Sequence, residues 1–145
     1  MSDPDVSPDL AELGRTLLND IPDAIIYADR DGLIRFWNPG AERIFGFSRD
    51  EALGQSLDII IPERLRQRHW DGYRHMMGTG HSRYGAGDLL SVPAVNKAGE
   101  NLSIQFTVAA VHGKTGELAG IVAVLRDVTA TFQELRRLRA QASGR

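Results

Sequence analysis

The chain has no cysteine among its 145 residues. That absence excludes disulfides, thiolate metal sites, iron–sulfur clusters, cysteine nucleophiles and thioether-linked chromophores. Long hydrophobic runs are missing too, and nothing approaches the roughly 20 residues of a membrane-spanning helix. Charge of one sign is scarce, with a net charge of −2. A bulk electrostatic grip on nucleic acid is therefore not expected. Met1–Leu10 is acidic and polar, unlike a secretory leader. With neither disulfides nor a leader, a cytoplasmic location is expected. No Gly-x-Ser-x-Gly elbow, Walker sequence or His-Glu-x-x-His pair occurs, so no enzymatic activity is expected.

What is present is ordinary for one globular domain, with 42% hydrophobic and 25% charged residues. Charge is uneven along the chain. Residues 1–20 carry five acids against Arg15, and residues 126–145 carry five arginines against Asp127 and Glu134.

Ser7 before Pro8 reads as an N-cap and first helical position, which predicts an amphipathic helix over 8–19 with Leu10, Leu13 and Leu17 on one face. Ala24 to Asp29, the Asp31-Gly32 turn and Leu33 to Trp37 read as a hairpin. Asn38-Pro39 opens a helix that Gly46 closes, and Ser48 to Glu51 is a capping box. Pro62 opens a longer helix over about 62–77. On it, Leu65, His69, Tyr73 and Met76 are spaced 4, 4 and 3 residues apart and form one stripe. Arg64, Arg68, Asp71 and His75 fall on the opposite side.

Glycines 78, 80, 85 and 87 mark a loop. Beyond it, Leu102, Ile104, Phe106, Val108 and Ala110 alternate with more polar neighbours, the period of a half-buried antiparallel strand. Pro93 predicts an irregular or edge strand before it. Ile121 to Leu125 reads as the last strand and Thr131 to Gln141 as a final helix carrying Phe132, Leu135 and Leu138. The fold class is α+β: an antiparallel sheet of about five strands, helices on one face and a flanking helix at each end.

In this order the pieces resemble a PAS sensory domain. Those pieces are Ile21 to Ala24, Phe36-Trp37-Asn38, Phe45 to Ser48, Glu51 to Gly54, Asn96 to Gly99 and Arg126 to Thr129. The resemblance covers about residues 18–130. Ala98 departs from the aspartate more usual there, while Gly99 keeps the turn feasible. It implies a flanking helix over 1–20, the PAS domain over 21–129 and an output or dimerisation helix over 130–145. It also implies a small ligand between sheet and helices, and two-component signalling to a histidine kinase or regulator. A homodimer through the terminal helices follows from the same resemblance, with Asp127 and Thr129 as the signalling junction.

Leu65 to His69, followed by Tyr73-Arg74, is similar to the helix of heme-binding PAS oxygen sensors. That likeness implies heme b with His69 as axial iron ligand. The pocket lining it implies is Leu65, Tyr73, Met76, Asp88, Ile104, Phe106, Val122 and Val124. Asp88 stands where those sensors carry an arginine. An ionised carboxylate accepts hydrogen bonds but cannot donate one to bound oxygen. Redox, CO or NO sensing is then the better match, unless Arg83 substitutes. A structural histidine is the plain alternative, and with it a cofactor-free PAS interaction module. His75, His81 and His112 form no metal spacing, and Met76 and Met77 read as core residues.

Overall fold

The computed structural model describes residues 6–80 and 89–144. Helix α1, Leu10–Asn19, starts at Asp9 rather than Ser7. The extended backbone of Asp9 lets its carboxylate accept the Glu12 N–H at 2.7 Å. A negative group at this end also complements the helix dipole. Strands β1 (Ala24–Asp29) and β2 (Ile34–Trp37) form the hairpin. Its turn is held by the Asp29 carboxylate, which accepts from the backbones of Asp31 and Leu33 and from Arg35.

Asn38 is 1% exposed and its side chain makes four hydrogen bonds. Its oxygen accepts from Ile25 and Ala41, and its amide donates to the carbonyls of Leu18 and Asp23. One side chain thus caps α2 (Pro39–Phe45) and ties it to the end of α1 and the start of β1. Gly46 closes α2 with φ 81°. The capping box opens α3, Arg49–Ala52. Two short 3₁₀ turns, Leu57–Ile60 and Glu63–Leu65, lead into α4, Arg66–Thr79.

Strands β3 (Leu90–Val95), β4 (Asn101–His112) and β5 (Leu118–Asp127) complete a five-stranded antiparallel sheet in the order β2-β1-β5-β4-β3. Pro93 lies on β3, an edge strand, as its missing N–H requires. Helix α5, Thr129–Ser143, follows β5. The inner sheet face carries Ala24, Ile26, Trp37, Ile104 and Leu125, and packs against Ala41, Phe45, Ala52 and Ile60. This is the α+β architecture expected.

Candidate ligand site on helix α4

The four-residue stripe turns inward, although α4 begins only at Arg66: Leu65, expected on the helix, ends the preceding 3₁₀ turn and stands at the α4 N-cap. Tyr73 and Met76 are each 7% exposed, and Leu65 and His69 are half-buried. Arg64, Arg68, Asp71 and His75 are exposed. Gly80 ends the helix in the left-handed conformation.

His69 sits in an aromatic cluster. Its ring lies 4.7 Å from that of Trp70, edge-on, and 5.9 Å from that of Tyr73. Trp70 and Tyr73 meet edge-on at 5.3 Å. Two anchors fix this cluster to the hairpin end of the sheet. The Tyr73 hydroxyl donates to the carbonyls of Asp29 and Ala28. The Trp70 indole donates to the Asp58 carboxylate at 2.7 Å, while its ring covers Gly32. Burial holds the Tyr73 phenol far above its usual pKa.

His69 Nδ1 is buried, and no hydrogen-bond partner reaches it among the described residues. Burial pushes the His69 pKa down, and the nearby Asp58 charge only partly opposes it. The imidazole is therefore neutral near pH 7. A neutral imidazole carries one N–H and one nitrogen with a free electron pair, and the latter can bind a metal or accept from a proton donor.

Ile104 and Phe106 lie on the inner face, in or against the core. Val122 and Val124 do not. They pair with Tyr27 and Ile25, and so occupy the face turned away from the helices. Every residue from Ile121 to Leu125 is apolar, so the alternation carried no phase. The register Ala24↔Leu125 supplies it, and a shift of one residue exchanges the faces. Val124 instead lines a groove with Leu89, Gln105, Phe106, Thr107 and Arg126. Arg83, Asp88, His81 and the glycines at 85 and 87 lie outside the described residues.

Nothing in the sequence pattern marks Trp70. It is one residue off the apolar stripe, and its role depends on Gly32 and Asp58, both distant along the chain. The adjacency of a tryptophan to His69 was the available signal.

At the junction, Asp127 accepts from the backbone N–H and the hydroxyl of Thr129. Thr129 Oγ1 accepts the Ser103 N–H at 2.9 Å, and the Val128 N–H donates to the Ser103 carbonyl at 2.8 Å. The start of α5 is thereby fastened to β4. Among the described residues there is no group of three His, Asp or Glu side chains able to hold a metal ion.

A family model described as "PAS fold" matches residues 18–132. Sensor protein FixL of Bradyrhizobium diazoefficiens is 48% identical over 59 residues, 41% of this chain and 12% of that protein. Oxygen sensor protein DosP of Escherichia coli is 31% identical over 98 residues, 66% of this chain and 12% of that protein. The chain thus corresponds to 12% of the length of either relative. Among solved structures, a PAS domain from Colwellia psychrerythraea superposes with a TM-score of 0.72 at 20% identity, covering 84% of this chain and 99% of that one. The PAS domain of Bordetella pertussis BvgS gives 0.62 at 18% identity, covering 95% and 100%.

Proposed function

The chain belongs to the PAS family, and from that membership we propose that it is a sensory module with His69 as the axial ligand of heme b. The single observation that carries this reading is the buried, unpartnered nitrogen of a neutral imidazole on the inward stripe of α4. The donor set fits the group: one imidazole, on the stripe it shares with Leu65, Tyr73 and Met76. When bound, heme supplies an iron centre responsive to redox state or to a diatomic gas.

The protein's own part is positional. Trp70 and Tyr73 fix the imidazole plane, and Tyr73 fastens α4 to the end of β1. A displacement of His69 is then passed to the sheet. From there it reaches α5 through the Asp127–Thr129–Ser103 junction. A relative of similar sequence is the signal transduction histidine-protein kinase AtoS of Escherichia coli, 28% identical over 131 residues. The output is accordingly read by a histidine kinase or regulator in a cytoplasmic homodimer joined through the terminal helices. The chain itself performs no catalysis in this reading.

A second reading has its own support. The inner face is already packed by Ile26, Trp37, Phe45 and Ile104, while α1 and α5 leave apolar stripes exposed. That packing supports a cofactor-free interaction module as the second reading.

The test is an absorption spectrum with one equivalent of hemin, for the parent chain and His69→Ala. A sharp Soret band that collapses in the variant supports heme through His69. A band unchanged by the substitution, or no band at all, overturns it.

A further inference from the structure

A metal-ligating histidine ordinarily has its second ring nitrogen bonded to a carboxylate, a carbonyl or water, and that bond fixes the ring plane. No such bond reaches His69 Nδ1 among the described residues, so packing has to hold the plane. Two aromatic walls do so. The Trp70 ring lies 4.7 Å away at 76°, and the Tyr73 ring 5.9 Å away at 42°. Each wall is only as fixed as its polar tip. Tyr73 is tied to the end of β1 through its hydroxyl. Trp70 rests on Gly32, which has no side chain to set the direction of the indole. That direction comes from the bond to Asp58.

The Asp58 carboxylate is firmly placed for this bond. It stands on the 3₁₀ turn Leu57–Ile60, whose backbone is held on both sides. The Ser56 hydroxyl accepts the Asp58 N–H at 3.1 Å, and the Asp58 carbonyl accepts the Ile61 N–H at 3.1 Å. The Leu57 N–H donates to the Gly32 carbonyl at 3.1 Å. The turn that carries the carboxylate is thus bonded to the glycine under the indole. Arg66 Nε stands 4.0 Å from the carboxylate and donates instead to the Ile61 carbonyl at 3.1 Å. Among the described residues, the indole is the one hydrogen-bond partner of the carboxylate.

We propose that Asp58 is a positioning residue for His69, acting through the Trp70 indole to set the plane in which the imidazole meets its ligand. That this ligand is an iron rests on the reading above; the positioning does not.

NMR spectroscopy of the whole chain without hemin, labelled at histidine, tests it at a pH where His69 is neutral. His69→Ala identifies the His69 ring signals, and the exposed His75 supplies the reference. In the parent, ring currents of both walls displace the His69 signals from those of His75. Asp58→Ala should shift the His69 signals away from their parent positions and speed the exchange of the Trp70 Nε1 proton. Asp58→Asn keeps an acceptor oxygen for the indole and should leave both near the parent values. The Asp58 side chain is 39% exposed, and circular dichroism checks that each variant is folded. Asp58→Ser, whose hydroxyl ends one bond short of the carboxylate oxygen, repeats the comparison should alanine fail to fold. A merely stabilising role would lower the urea midpoint without moving the ring signals. Parent signals retained in Asp58→Ala, or lost equally in Asp58→Asn, overturn the proposal. Hemin titration separates it from the heme reading. Asp58→Ala should bind hemin about tenfold more weakly than the parent, and equal uptake by the two overturns the positioning. A parent chain that takes up no hemin overturns heme through His69, and the ring signals then decide the positioning by themselves.

Discussion

Trp70 Nε1 donates to the Asp58 carboxylate at 2.7 Å, and the same indole lies over Gly32 so closely that a methyl group there would sit 2.1 Å from the ring. Residues from α4, a 3₁₀ turn and the β1–β2 turn thus meet at one side chain. Its neighbour is His69, so the imidazole's position depends on the hairpin.

Gly32→Ala should therefore be severe. Gly32 has φ 77°, where an L side chain costs roughly 1–2 kcal/mol, and the clash with Trp70 adds about 1–3 kcal/mol. In a Trp70→Ala background the clash disappears and only the conformational cost remains. Urea unfolding of the double-mutant cycle should show coupling of roughly 1–2 kcal/mol. Strictly additive losses would mean that the two residues do not press on each other.

Tyr73→Phe removes the hydroxyl bonded to Asp29 and Ala28 but keeps the ring against His69. A loss of about 1–2 kcal/mol is expected on denaturation. Hemin uptake should survive, because the imidazole remains. His69→Ala should show the reverse pattern, with binding lost whatever the change in stability.

The His69 pKa is lowered in the folded state from 6.5, chiefly by burial and against the opposing pull of Asp58. The unfolded chain then binds a proton at higher pH than the folded one. The corresponding stability is fully present above about pH 6.5 and drains away as pH falls towards the folded value. His69→Ala should flatten that part of the profile in urea titrations. A parent slope that persists in the variant would assign the effect to another group. Glu51 acts lower on the scale: Lys97 and Ser48 hold its carboxyl at about 2, so its contribution begins to fade only below 4.5.

Thr129→Val keeps the shape of the side chain but deprives the Ser103 N–H of its acceptor. Amide exchange at Ser103 and in the first turn of α5 should accelerate, at a stability cost of roughly 1–2 kcal/mol. Thr129→Ser should restore most of the protection. Unchanged exchange in the valine variant would show that this junction does not hold the helix.

Much of this is legible in the sequence. Asn38, the Ser48–Glu51 box and Gly46 are local signals: the first two open helices and the third closes one, as expected. The inward stripe of α4 was readable because helical spacing fixes which residues share a face. Val122 and Val124 were not, because an unbroken apolar run has no phase until a neighbouring strand supplies the register. The Trp70 contacts lay beyond reach for another reason. Asp58 and Gly32 are brought to it only by the tertiary fold, and no periodicity within one element points to them.

The central claim is that His69 supplies the iron ligand, and resonance Raman spectroscopy of the ferrous hemin complex addresses that bond itself. The account predicts an iron–imidazole stretching band that shifts on ¹⁵N-histidine labelling and vanishes in His69→Ala. A band that persists in the variant, or a ferrous complex with no such band in the parent chain, would contradict it.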